Sequence, residues 1–98
     1  MPATEATARR DGDALHFSGA VVRANVSALW RAAQPHAADT RLIDITGATR
    51  IVSAGLALLS ALAGLAARAA PVDVTGTPPG LAELRAAYRL DTALGFAS

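Results

Sequence analysis

The chain has no cysteine and no lysine. Without thiols it can build no disulfide, no thiolate zinc centre and no cysteine nucleophile, and the redox compartment is left open. All nine basic residues are arginine and 25 of the 98 positions are alanine, a bias that reflects genome composition rather than a binding site. Aromatics are scarce. Phe17, Trp30, Tyr88 and Phe96 are too few and too dispersed for a base-stacking platform. Core or interface packing suits each of them better, with Trp30 and Tyr88 half exposed. The net charge is only +1, so neither an acidic tail nor the basic excess that drives binding to phosphate backbones is present. Nucleic acid is not an expected partner. The opening residues "MPATEATARRDG" lack the apolar run of a secretory signal, which leaves the cytoplasm as the default location. At 98 residues one core is all the chain can build. The expected organisation is one domain over 1–98, with 1–10 a weak edge strand or partly disordered and 91–98 a tail.

What is present alternates in period. Asp11-Gly12 favours a left-handed hairpin turn, and it separates a short edge strand from a better one over 14–18, where Leu15 and Phe17 point to the core and His16 and Ser18 point away. Beyond Gly19 the spacing of Val26, Leu29, Trp30 and Ala33 is helical, with Asn25 available as N-cap and Pro35 marking the end. "RLIDIT" over 41–46 reads as a strand buried on both faces, with Asp44 inside it. Pro71 precedes a further strand over 72–75, and a last helix starts near Pro78 or Pro79 with Leu81, Leu84, Ala87 and Tyr88 on one face. Strands alternating with helices imply right-handed crossovers and a parallel sheet. The predicted fold is therefore α/β: a mixed four-stranded sheet, made of the N-terminal hairpin plus parallel strands, with about three helices.

Between Arg50 and Arg68 lie 17 residues without one charged side chain, "IVSAGLALLSALAGLAA". A membrane helix needs about 20 predominantly apolar residues, and this run is mostly Ala, Gly and Ser, so a span is not expected. Plotted as a helix, Leu58, Leu59, Leu62 and Leu65 form a bulky stripe with Leu56 at its margin. Opposite lie Ser53, Ala57, Ser60, Ala61, Gly64 and Arg68, flanked by Ala54. A solvated helix back normally carries long charged side chains. This one is small and nearly flat, which suits contact with another polypeptide at little cost in side-chain entropy. The alternative is that alanine is simply the best helix former in an alanine-rich chain. Ser53, at the helix start, can accept from the free amides of the first turn or, in a functional reading, take a phosphate that the same amides tolerate.

The run from Leu42 to Gly76, "LIDITGATRIVSAGLALLSALAGLAARAAPVDVTG", resembles the central part of a STAS domain. In that family an Asp-containing strand leads to an Asp-Ser/Thr-x-Gly motif at a helix start. "VSAG" occupies that place here, and the likeness extends from "DGDALHFSG" to "LRAAYRL". "SAGLALL", "LAELRAAYRL" and the Leu29-Trp30 pair are most similar to the small accessory subunit of the Mla phospholipid ABC transporter. The resemblance implies a non-enzymatic subunit, peripheral to the inner membrane, that binds the transporter's cytoplasmic ATPase and supports its assembly and activity. Residue by residue it makes Ser53 the phosphorylatable or interface position, Gly55 the motif glycine and Asp44 the acidic residue of the preceding strand. Val52 replaces the motif's leading Asp, which weakens kinase recognition more than docking.

Catalytic chemistry is thin. His16 and His36 have no evident acidic or nucleophilic companion and no metal-ligand spacing, and Asp44 and Asp73 could lie near each other without a recognisable cleft. The loop "TGTPPG" lacks the Lys-Ser/Thr that closes a phosphate-binding loop. No enzyme, metal or cofactor is expected. Two functions from different classes follow: docking of Ser53, Ala54, Ala57, Ser60, Ala61, Gly64 and Arg68 onto an ABC-type ATPase, or an anti-sigma-factor antagonist switched by a serine kinase at Ser53. A homodimer through the same face is a third possibility.

Overall fold

The computed structural model describes residues 6–88. Strand β1 (Ala6–Asp11) turns at Gly12 into β2 (Ala14–Val21). Asp11 pairs with Ala14, so Gly12 and Asp13 form a two-residue turn, and Gly12 takes the left-handed conformation (φ 62°) that glycine adopts without strain. The sequence reading had the turn at the right place and the second strand three residues too short. A 3-10 turn (Arg23–Asn25) leads to helix α1 (Val26–Ala33), and a 3-10 stretch opened by Pro35 (Gln34–Asp39) leads to β3 (Leu42–Ile51). Helix α2 (Ser53–Ala67), strand β4 (Asp73–Thr75) and helix α3 (Leu81–Tyr88) complete the described chain. The expected edge strand over 1–10 is observed from Ala6 onward, while the N-terminal five residues, the tail over 91–98 and Phe96 lie outside the described residues.

The sheet order is β1-β2-β3-β4, antiparallel between the first two strands and parallel thereafter. Both crossovers step outward in the same direction, so with the usual right-handed sense their helices share one face of the sheet. Leu15, Phe17, Ile43 and Ile45 meet Leu29, Leu59 and Leu62 in one buried cluster under those helices. Each such side chain contributes about 1.5–3 kcal/mol of hydrophobic stabilisation.

Three expectations need correction. First, β3 is not buried on both faces: Ile43 and Ile45 are buried, whereas Leu42 and Asp44 are only half-buried, because no helix among the described residues covers the other side of the sheet. Second, Asn25 is the N-cap residue of α1 as expected, but its side chain makes no cap bond and donates its amide to the Ala20 carbonyl at 2.8 Å, tying the 3-10 turn to β2. Third, α3 buries Leu81 and half-buries Leu84 but leaves Ala87 exposed. The exposure of Tyr88 and the partial burial of Trp30 agree with the sequence reading.

Candidate functional site

The backbone leaves β3 at Ile51 and enters α2 through Val52, whose extended conformation (φ −119°, ψ 173°) makes it the N-cap residue. No side chain caps this end, so Ser53 is the first helical residue, exposed, and does not play the capping part open to it in the sequence. Contacts on two sides pin the entry. The Val52 amide donates to the Val21 carbonyl at 3.3 Å, and a β-carbon on Gly55 would stand 2.1 Å from that same oxygen. Glycine is required there because backbone touches helix. On the other side the Ile51 amide donates to the Pro79 carbonyl at 3.3 Å, and Gly80, at φ 93°, lies against the Ile51 carbonyl. A shallow groove runs between these anchors, lined by Arg50, Val52, Ser53, Pro79, Glu83 and Leu84.

Behind the entry α2 shows two faces. Gly55, Leu56, Leu58, Leu59, Leu62, Ala63 and Ala66 are buried, so Leu56 belongs to the core and Leu65, placed in the stripe by the sequence, is only half-buried. The stripe is rotated because the smallest buried residues, Gly55, Ala63 and Ala66, carry no bulk by which a sequence would reveal them. The opposite face exposes Ser53, Ala57, Ala61, Gly64 and Arg68, with Ala54 and Ser60 half-buried at its margins. A β-carbon on Gly64 would meet nothing within 4 Å, so no packing among the described residues accounts for a glycine that costs the helix about 1 kcal/mol relative to alanine. At the far end Arg41 fixes the helix terminus. Its guanidinium donates to the carbonyls of Ala38 (2.9 Å), Ala66 (2.8 Å), Pro71 (3.1 Å) and Ala70, filling acceptors that a helix end leaves open.

A second cluster lies on the sheet face that the helices leave open. Asp44 accepts from the Thr46 amide at 2.9 Å and the Thr75 hydroxyl at 3.3 Å, and its other oxygen accepts from His16 Nδ1 at 2.8 Å. Bonds from Thr46, followed by the His16 bond and its charge, hold the Asp44 carboxyl down at about 2 against a modest opposing effect of burial. His16 therefore does have an acidic companion, contrary to the sequence reading. Strand register explains the miss: His16 and Asp44 sit side by side in parallel strands although 28 residues apart in the chain. Asp73 does not meet Asp44, because it pairs with Leu42, two residues away, while Thr75 takes the place beside Asp44. His36 lies in the 3-10 stretch, where its carbonyl accepts from the buried Thr40 hydroxyl at 2.7 Å. No cluster of three or more potential metal ligands occurs among the described residues, and among them no helix is long and apolar enough to cross a membrane.

A hairpin joined to two parallel strands, with helices on one face and Ser-x-Gly in the first turn of the second crossover helix, makes a two-layered α/β domain of the STAS type. Residues 5–95 match the family described as "Mlab, STAS domain", and the chain belongs to that family. No curated protein matches it.

Proposed function

We propose that this chain is a non-enzymatic accessory subunit that docks onto the cytoplasmic ATPase of a phospholipid ABC transporter and supports its assembly and activity. The match over 5–95 to the family described as "Mlab, STAS domain" carries the reading. The exposed face of α2 supports it: Ser53, Ala57, Ala61, Gly64 and Arg68 offer a smooth strip, and the opening at Gly64 admits a partner's backbone closely. Such a subunit resides in the cytoplasm, held at the inner membrane by its partner.

Ala57→Glu and Ala61→Arg place bulk and charge on this strip at positions whose side chains are exposed. Neither should disturb folding, and both should abolish co-purification with the transporter ATPase. An intact complex with both variants removes α2 as the docking surface.

The exposed, uncapped Ser53 also favours a second reading, an anti-sigma-factor antagonist phosphorylated at that hydroxyl. Phosphate at the first turn would be stabilised by the helix amides and would oppose docking on an apolar surface. Intact-mass measurement after incubation with the kinases of neighbouring genes decides it; an unmodified chain, together with normal partner binding by Ser53→Asp, rejects it.

A further inference from the structure

Arg41 joins the two layers of the molecule at one end of α2. Its backbone is held on both sides at the entry to β3: the amide donates to the Asp13 carbonyl at 2.7 Å, and the carbonyl accepts from the Asp73 amide at 2.9 Å. From that fixed base the half-buried side chain reaches the helix layer. One terminal nitrogen donates to the carbonyls of Ala70 and, at 3.1 Å, Pro71, on the segment that leads to β4; the other donates to Ala66 in the last turn of α2 at 2.8 Å and to Ala38 in the 3-10 stretch at 2.9 Å. Both nitrogens are fully used.

The second of those nitrogens spans a gap. Gln34, Pro35 and Ala38 form one wall of a shallow groove and Leu65, Arg68 and Ala69 the other, so the bonds to Ala38 and Ala66 tie the elements that make both walls to a single planar group. Among the described residues α2 ends without a glycine in the left-handed conformation and without a basic side chain in its last turn, the two usual ways of satisfying a helix's final carbonyls. A residue distant in the chain supplies the donors and the positive charge instead. On the exposed side of the same helix end stand Gly64 and Arg68, the C-terminal part of the α2 strip.

We propose that Arg41 is a positioning residue for the α2 docking surface, setting where Gly64 and Arg68 stand through contacts made inside the chain. The inference rests on the reading of that face as the site of docking. The start of α2 is held by backbone contacts at Val52 and Gly55, whereas its end is tied to the 3-10 stretch and to the segment before β4 through one side chain. Without the guanidinium those carbonyls must turn to water, and the last turn frays. Only the fraction of molecules with that turn formed then presents the whole strip, and apparent affinity falls by that fraction.

Dissociation constants for the chain and the transporter ATPase, measured at a temperature where Trp30 fluorescence shows every variant folded, test the proposal. Lower global stability leaves the constant of a folded chain unchanged, so Phe17→Leu, which weakens the core on β2 and keeps the Arg41 bonds, should bind as the parent does. Arg41→Met should bind about tenfold more weakly, the result of a last turn formed in about a tenth of the molecules. Arg41→Lys keeps the charge but has a point donor in place of the fork; it should bind about threefold more weakly, and it decides alone if Arg41→Met does not fold. Parent-like binding by the arginine variants, or a loss no greater than that of Phe17→Leu, overturns the positioning role. Ala57→Glu separates this inference from the reading beneath it. If that variant still binds, the docking reading fails and takes the inference with it; if it does not bind while the arginine variants do, the inference alone fails.

Discussion

Gly55 and Gly64 occupy the same helix, yet replacing each with alanine should change stability in opposite directions. At Gly64 the new methyl meets open space, so the change reduces to helix propensity and should stabilise the domain by about 1 kcal/mol. For a domain of this size that raises the thermal midpoint by roughly 4–8 °C. At Gly55 the methyl would stand 2.7 Å from Val21 Cγ1 and 2.1 Å from the Val21 carbonyl oxygen, the latter well over an ångström inside ordinary contact. The obstacle is backbone, so no rotamer change relieves it and the N-terminal turn of α2 must retreat from β2. Overpacking of this kind costs about 1–3 kcal/mol. The retreat also strains the Val52 to Val21 hydrogen bond, worth about 1 kcal/mol, while the gain in propensity returns at most a similar amount. The net expectation for Gly55→Ala is a loss of about 2 kcal/mol, leaving a folded but weakened domain. Urea unfolding followed by the fluorescence of Trp30, the chain's single tryptophan and packed against the core, reads both variants. Equal shifts for the two, or a Gly55→Ala protein as stable as the parent, would refute the close approach of helix and strand. The Gly64→Ala protein carries a second readout. If the partner's backbone uses that gap, the stabilised variant should bind the ATPase more weakly than the parent.

Two further outcomes follow from the polar clusters. Asp44 titrates lower in the folded chain, at about 2, than the ordinary aspartate value near 3.8, so its stabilising contribution is complete above about pH 4 and lost as pH falls toward 2. The loss should be roughly 1–2 kcal/mol, discounted for partial solvent access, and urea midpoints from pH 6 downward should show it in the parent and lack it in Asp44→Asn. A parent and variant with identical acid profiles would contradict this account. Arg41→Met should strip four carbonyls of a charged donor and cost about 2–3 kcal/mol, with amide exchange accelerating in the last turn of α2 and in Gln34–Asp39 first; exchange that rises evenly throughout the chain would speak against a local cap.

Local signals made most of the fold legible. The Asp11-Gly12 turn, the change from a period of two to a helical one after Gly19, and the prolines at 35 and 71 are each written within a few residues, and the alternation of strands with helices gave the parallel part of the sheet, though not the order of its strands. Where the sequence misled, the deciding partner was distant. The second half of β3, Gly47 through Ile51, has no alternating apolar pattern and is a strand because Ser18 through Val21 pair with it around two register shifts. The helix entry was located to the residue, yet only packing reveals that Val52 caps it and that Gly55 must be glycine against Val21. The exposed small side chains of α2 were identified correctly as a face, since deletion of charge from a helix back is visible in composition. His16 beside Asp44 was invisible, because the pairing of parallel strands depends on a crossover whose length sets no register.

Placing every crossover on one side makes the molecule a thin plate, 19 Å through its shortest dimension, with an alanine-rich exterior on one surface and an arginine-histidine row on the reverse. Objects that touch opposite surfaces of a plate do not collide. A partner seated on the helices would leave the strand face free, so a contact made there need not compete with it.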